Sequence, residues 1–310
     1  MSQSLVIGSR GSKLALFQSE QAKARLEALN PDLQVRIEII KTTGDVKTDP
    51  LTVIGGKGVF TKELEDALLD GRIDLAVHSL KDLPTILPDG LTIGAICERE
   101  DPRDALVLPG NVASSNASLR TLIDRAVVGT SSQRRVAQLK ALRPDVEIKD
   151  VRGNVDTRIR KLDEGQYDAL ILASAGLRRL GLAERISAAI ATDEMLPAVG
   201  QGAVAIEAHN DNKFALESIS KLNHDTTRIA CLAERSLLRS LGGGCQLPIA
   251  AHALVNGNEL YLHGLVATID GSQVLRDSVS GSVGRAEELG QTLANRLMDL
   301  GANSLLKPYR

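Results

Sequence analysis

The sequence predicts an α/β protein of two lobes with a cleft between them, followed by a small α+β third domain. Short apolar segments alternate with amphipathic ones, a pattern typical of parallel α/β sheets. The sequences VIGS from Val6 and VVGT from Val127 each end a predicted strand and begin a helix, and GRIDLAV from Gly71 resembles GQYDALI from Gly165. These similarities indicate two related lobes, for which chance likeness between short signals is the alternative.

Local signals place the elements of the first lobe. Ser12 caps a helix that runs to about Leu29, and a second helix covers Thr61–Asp70. Residues 41–59 are rich in Gly, Thr and Asp and are predicted to form a long loop, a kind of segment that is commonly functional. The strands of this lobe are predicted at Leu5–Ile7, Gln34–Ile40, Asp74–Val77 and Leu91–Cys97.

The second lobe and the third domain follow from the same signals. Ser131 or Ser132 caps a helix, and Asn154–Glu164 forms another. The strands of this lobe are predicted at Val127–Val128, Val146–Lys149 and Ala169–Ala173. A hairpin turn at Asn256–Asn258 characterises the third domain. Its other elements are a helix, a strand and a closing helix, at Thr226–Leu241, Val274–Val279 and Val283–Leu300. The predicted domain limits are 1–99 with 200–220, then 103–196, then 224–310.

Composition excludes several classes of function. No stretch is long and apolar enough for a membrane helix, and the first residues lack the basic region of a secretory signal. Aromatic residues make up 2% of the chain and the net charge is −2, which argues against nucleic-acid binding. Three cysteines without a C-x-x-C pair and five scattered histidines favour a reducing, cytoplasmic setting and no metal site.

Positive charge is concentrated in the second lobe. From Arg120 to Arg185 there are 14 basic and nine acidic residues, although the whole chain is mildly acidic. Arginine is the residue type that binds carboxylates and phosphates through two parallel hydrogen bonds. This region therefore indicates an anionic ligand, with a solvated helix face as the alternative.

Two strand-to-helix junctions carry candidate anion-binding residues. GSRGS places Arg10 and Ser12 at the start of the first helix, where free backbone N–H groups attract anions. GTSSQRR places Arg134 and Arg135 in the first turn of a later helix, although the helix dipole disfavours cations there. A bound anion would offset that cost.

Two further motifs carry possible chemistry. HSLKDLP places Lys81 and Asp82 after a buried strand, where Asp82 could transfer protons or hold a cation; a helix cap or ion pair is the alternative. GGGCQLP exposes Cys245 on a glycine-rich loop, which indicates a nucleophile or an attachment point, or else a simple flexible turn. Cys97 and Cys231 are predicted to lie in the core.

These motifs resemble those of the porphobilinogen deaminase (hydroxymethylbilane synthase) family. The similarity covers nearly the whole chain, in IGSRGSKLAL, GGKGVFTKELE, DLAVHSLKDLP, CEREDPRDAL, GTSSQRR, VRGNVDTR, LASAGLRRLGL, LPAVGQGAVAIE and GGGCQLPI. It departs from common family spellings at Lys13, where Pro is frequent, and at Asp156, where a small residue is frequent.

The resemblance implies a fold and a reaction. The fold would be two solute-binding-protein-like α/β lobes plus the small α+β third domain. The enzyme would be a transferase of heme biosynthesis that carries a dipyrromethane cofactor, joined by a thioether to Cys245. Four porphobilinogen molecules would be added to this primer with loss of ammonia, and hydrolysis would release hydroxymethylbilane.

The resemblance also implies roles for individual residues. Asp82 would protonate the departing amine, stabilise the azafulvenium cation and accept the pyrrole proton. The cofactor would be bound by Cys245, Arg10, Ser12, Lys81, Thr130, Ser131, Arg134, Arg135, Arg152 and Arg158. The substrate would be bound by Arg10, Lys57, Arg152, Arg158 and Arg179.

A second class of function accounts for part of the same pattern. A two-lobed anion-binding module, such as a sensor or solute receptor, would also have paired lobes and arginine-rich strand ends. Only the enzyme hypothesis accounts for the Cys245 and Asp82 motifs together. We expect a monomer that binds a small-molecule substrate and neither nucleic acid nor membrane.

Overall fold

The structure is a computed structural model that describes residues 3–46, 58–110, 116–244 and 247–307. The chain forms two compact units. The first contains the residues up to Glu100 together with Ala203–Arg228, and the second contains Asp101–Gly202 together with the residues from Ile229 onward. The three predicted domain limits remain a prediction.

The predicted elements occur in the predicted order, together with further elements. The strands are β1 Gln3–Ser9, β2 Leu33–Ile39, β3 Leu75–Ser79, β4 Leu91–Ile96, β5 Asp104–Val107, β6 Val127–Gly129, β7 Glu147–Lys149, β8 Ala169–Ala173, β9 Ala188–Ala189, β10 Val204–His209, β11 Ile249–Asn256, β12 Glu259–Ala267 and β13 Val274–Ser282. The helices are α1 Lys13–Leu29, α2 Thr43–Val46, α3 Lys62–Leu69, α4 Gln133–Leu142, α5 Val155–Asp163, α6 Ser174–Arg179, α7 Lys213–Ser220, α8 Asp225–Ser240, α9 Ala286–Asp299 and α10 Ala302–Leu306.

Two five-stranded sheets share one topology, which confirms the predicted likeness of the lobes. The sheet of the first unit has the order β2-β1-β3-β10-β4, and one sheet of the second unit has the order β7-β6-β8-β5-β9. In each, the first three strands are parallel and the last two pairings are antiparallel. The expectation of parallel sheets is therefore wrong for β10 and β5. Each of these strands begins soon after the chain enters its unit.

The first sheet has its core on both faces. The alternation along β3 directs Leu75 and Val77 toward the cluster that contains Leu26 of α1. Ala76 lies on the opposite face with Leu64 of α3. Because α1 and α3 both cover this sheet, the loops that leave the carboxyl ends of β1 and β3 are held on a rigid support.

The third sheet confirms the predicted α+β domain. Strands β11, β12 and β13 form an antiparallel meander. The β11–β12 turn contains Gly257 with φ 59°, a left-handed conformation that favours glycine. Leu237 of α8 and Leu293 of α9 pack with Leu262 in one core. Helices α2, α6, α7 and α10 and strand β9 were not predicted from the sequence, and α2 lies within residues 41–59, which were predicted to form a loop.

Cys97 and Cys231 are buried, as predicted. Among the described residues, no helix has the length and apolar character required to cross a membrane. The same residues contain no group of His, Cys, Asp or Glu that could hold a metal ion.

Candidate functional site

A small pocket of the first unit lies where β1 and β3 end. Arg10 and Ser12 follow β1, Asp82 follows β3, and all three line this pocket of about 60 Å³. Because β1 and β3 are parallel neighbours, their carboxyl ends meet at one edge of the sheet. Sequence-predicted residues about seventy positions apart are therefore brought together.

Asp82 is positioned by a single 3₁₀ turn, Leu80–Asp82. Leu80 anchors the turn, because its side chain is 1% exposed and its backbone N–H donates to the carbonyl of Ala203 at 3.0 Å. Lys81 and Asp82 occupy the half-buried positions of the same turn. This short turn therefore presents a carboxylate at the pocket with little freedom of its backbone.

The opposite wall of the pocket is built at the start of α1. Ser12 is the N-cap, and its Oγ accepts the backbone N–H of Ala15 at 3.3 Å. The Arg10 guanidinium lies over the ring of Phe60, 4.2 Å from the ring centroid. Such a cation–π contact orients the guanidinium without neutralising its charge. The pocket thus combines a cation, a helix N-terminus and a carboxylate.

In the second unit, the predicted residues lie at the carboxyl ends of three parallel strands. Thr130 and Ser131 follow β6, Arg152 and Arg158 follow β7, and Arg179 ends the helix after β8. Strand β6 pairs in parallel with both β7 and β8, so these loops share one edge of the sheet. This is the edge at which open α/β sheets bind ligands.

Hydrogen bonds hold these loops in place. Ser131 Oγ donates to the carbonyl of Val151 at 2.7 Å, which ties the loop after β6 to the loop after β7.

Three arginines carry further contacts. Arg152 Nε lies 2.9 Å from Asp150, Arg158 Nε donates to the Gly153 carbonyl at 2.8 Å, and Arg179 Nη2 donates to the Gly202 carbonyl at 2.7 Å. Thr130 is buried, and its Oγ1 accepts the backbone N–H of Ser132 at 3.3 Å.

Arg134 and Arg135 are buried side by side at the start of α4. Both guanidinium groups donate to the carboxylate of Asp104, with shortest distances of 2.6 Å and 2.7 Å. Burial alone raises the pKa of Asp104, but the two guanidinium groups outweigh it and keep this pKa far below its ordinary value. The Asp104 carboxylate of this chain is therefore the anion that balances positive charge at the start of this helix.

Sequence reasoning missed Asp104 and Gln201. The side-chain amide of Gln201 donates to Asp104 Oδ1 at 3.0 Å and to the Pro102 carbonyl at 2.7 Å. No local pattern marks these two residues, since their partners are distant in the chain. Lys57 and Cys245, which were also predicted as site residues, lie outside the described residues.

The arginine cluster fits a ligand that carries carboxylates. Two guanidinium groups face one carboxylate, so the cluster has an excess positive charge. Arg134 Nε is buried and has no hydrogen-bond partner among the residues that the structure describes. A polycarboxylate cofactor such as dipyrromethane would supply an acceptor and a negative charge.

The fold and these sites define a class of protein: an α/β protein with an aspartate in the same pocket as an arginine and a helix N-terminus. Residues 5–217 match the family model for the porphobilinogen deaminase dipyrromethane-cofactor-binding domain, and residues 228–299 match the model for the C-terminal domain of the same family. The chain belongs to the porphobilinogen deaminase family.

Curated relatives agree over nearly their full length. The porphobilinogen deaminase of Parasynechococcus marenigrum is 52% identical over 304 residues, which cover 98% of this chain and 95% of the relative. That of Syntrophomonas wolfei is 50% identical over 303 residues, which cover 97% of each chain. Among solved structures, the probable amino-acid transporter binding protein ytmK of Bacillus subtilis has a TM-score of 0.43 at 11% identity and covers 72% of this chain and 90% of that chain.

Family membership confirms three expectations from the sequence. The chain is an enzyme, it uses the dipyrromethane cofactor, and it serves tetrapyrrole biosynthesis. The anion-binding module without catalysis is therefore set aside.

Proposed function

We propose that this chain adds four porphobilinogen molecules head-to-tail to a dipyrromethane primer held at Cys245, with Asp82 as the catalytic carboxylate. Hydrolysis then releases hydroxymethylbilane. The observation that carries the proposal is the pocket in which Asp82 lies with Arg10 and Ser12 at the ends of two parallel strands. Family membership supplies the reaction, and this pocket supplies a position for its proton transfers.

Asp82 donates and then accepts a proton in each addition. In the acid form it donates a proton to the departing amine of porphobilinogen, and the C–N bond breaks to release ammonia. The resulting carboxylate stabilises the cationic substrate beside it. When the new C–C bond has formed, Asp82 accepts the proton lost from the α-carbon of the nucleophilic pyrrole ring, so it returns to its starting state. The bound cofactor supplies the nucleophilic pyrrole ring of the first round.

The cationic residues bind the acetate and propionate groups. Guanidinium forks match carboxylates in geometry and charge, and the elongating chain brings two more carboxylates with each round. We assign this role to Arg10, Lys57, Lys81, Arg134, Arg135, Arg152, Arg158 and Arg179. Ser12, Thr130 and Ser131 assist through hydroxyl or backbone groups at helix starts.

The setting of the enzyme is part of the proposal. We place it in the cytoplasm as a monomer that binds neither nucleic acid nor membrane. The sequence has only three cysteines and no C-x-x-C pair, which supports a reducing compartment. Size-exclusion chromatography with light scattering tests the monomer, and a mass twice that of the chain would contradict it.

The first experiment tests Asp82. The variant Asp82→Asn keeps the size of the side chain but cannot exchange the protons, so we expect ammonia release to fall by about 100-fold or more. Asp89→Asn is the matched control, because Asp89 is exposed in the turn before β4. Ammonia release from Asp82→Asn at the control rate would show that another group transfers the protons.

The second experiment tests Cys245. Intact-protein mass spectrometry of the wild-type chain should show the added mass of the dipyrromethane, and Cys245→Ser should lack it. Cys231→Ser is the control, since Cys231 is buried in α8. An active wild-type chain of unmodified mass would refute the covalent primer.

A further inference from the structure

Asp104 joins three segments of the second unit through one buried carboxylate. Arg134 donates from Nη1 to Oδ2 at 2.6 Å and from Nη2 to Oδ1 at 3.1 Å. Arg135 donates to Oδ1 from Nε at 3.0 Å and from Nη2 at 2.7 Å. Gln201 donates to Oδ1 from its amide at 3.0 Å. Strand β5, helix α4 and the segment before β10 therefore share a single acceptor group.

These contacts leave the guanidinium groups with little freedom to turn. The Nη1 atoms of Arg134 and Arg135 also donate to the carbonyls of Leu196 and Ile171, each at 2.8 Å. Without the Asp104 carboxylate, each guanidinium would keep a single described hydrogen bond, the one to a backbone carbonyl. Asp104 is the group that fixes the planes of both.

The charges of the cluster do not cancel. Arg134, Arg135 and Asp104 are between 0% and 6% exposed, so solvent provides little screening. Two positive charges face one negative charge, and a buried excess charge is costly unless another charge balances it. One more carboxylate would therefore balance the charge of the cluster. The Nε of Arg134, which has no hydrogen-bond partner in the described part of the chain, would also gain an acceptor from it.

We infer that Asp104 is a positioning residue for cofactor loading, which sets the orientation of Arg134 and Arg135 and holds the net charge of the cluster at plus one. This inference rests on the proposed function, in which the two arginines bind carboxylates of the dipyrromethane. Asp104 itself does not touch the cofactor. It acts through the two guanidinium groups that it aligns.

The test separates the effect of the net charge of the cluster from the effect of the number of its hydrogen bonds. Asp104→Asn raises the net charge to plus two, and we expect the fraction of chains that carry the cofactor mass to fall about tenfold or more. Arg135→Gln lowers the net charge to zero, and loading is expected to fall as well. The double variant Asp104→Asn/Arg135→Gln restores plus one, so it should load more cofactor than either single variant. A purely structural role predicts the reverse, because the double variant has lost the most hydrogen bonds.

Controls separate this inference from the proposed function. Asp145→Asn makes the same change at an exposed carboxylate of the same unit, which pairs with the half-buried Arg143, and should load like the wild type. A wild-type chain without the cofactor mass would refute the proposed function itself. Folded Asp104→Asn that loads like the wild type, or a double variant that loads no better than either single one, would refute only the role of Asp104.

Thermal unfolding, followed by circular dichroism, accompanies every mass measurement. If Asp104→Asn alone fails to fold, the double variant is compared with Arg135→Gln, and higher loading in the double variant supports the inference. If all three variants fail to fold, Asp104 is a folding element and the inference is overturned.

Discussion

Glu234 of α8 offers a test of how the second unit is held together. Its side chain is fully buried, with Oε2 accepting the backbone N–H of Gly200 at 2.7 Å and Oε1 accepting that of Ala253 at 2.8 Å. One carboxylate thus connects the segment before β10 to strand β11. In Glu234→Gln, one acceptor oxygen becomes an NH₂ group that faces a backbone N–H.

The expected cost follows from these two contacts. A buried donor left without an acceptor costs about 1–3 kcal/mol, and a hydrogen bond to a charged group contributes about 1.5–3 kcal/mol. Because glutamine is neutral, Glu234→Gln also removes the free-energy cost of burying a charge, and this gain offsets part of the loss. We therefore expect Glu234→Gln to lower the free energy of unfolding of this unit by about 2–4 kcal/mol.

Hydrogen exchange resolves the effect locally. Peptides that cover Gly200 and Ala253 should lose protection in Glu234→Gln, by a factor that corresponds to the loss in free energy. The control is Glu288→Gln, because Glu288 is an exposed partner of Arg285 and should change stability by less than about 0.5 kcal/mol. Unchanged protection of both peptides in Glu234→Gln would refute the assignment of Glu234 as their common acceptor.

Three further predictions concern the first unit. Burial raises the pKa of Glu65, so its stabilising contribution is complete below about pH 4.5 and is lost as the pH rises through the folded-state pKa. Glu65→Gln should therefore flatten the fall of the urea midpoint between pH 4 and 7, and equal slopes in both chains would contradict this reasoning. Leu80→Ala should lower the free energy of unfolding, measured by urea denaturation, by about 2–5 kcal/mol. Because Leu80 anchors the turn that carries the proposed catalytic carboxylate, ammonia release should also slow, without loss of the cofactor mass. Unchanged turnover would contradict that link. Phe60→Leu removes the ring under Arg10 and should raise the KM for porphobilinogen about two- to fivefold in steady-state assays, and an unchanged KM would show that the ring does not orient this guanidinium.

Much of the first-unit pocket was predictable because its signals are local. A strand, a capping serine and a helix determine where Ser12 lies, and the parallel pairing expected of such units brings the loop of Asp82 beside it. The strand bounds that the sequence predicted differ from the observed ones by one to three residues in most elements, since ends depend on capping and on neighbouring strands.

The sequence by itself determined most of the succession of elements, the likeness of the two lobes and the family, because these depend on short-range patterns and on long uninterrupted motifs. Only the tertiary structure decided that β5 and β10 run antiparallel to their neighbours. It also decided that Arg134 is hydrogen-bonded to Asp104, a residue of this chain thirty positions earlier. Such pairings join residues that only packing brings together. Burial then strengthens the electrostatic interaction between them, because the interior screens charges less than water does. No local pattern of residues predicts such a pair.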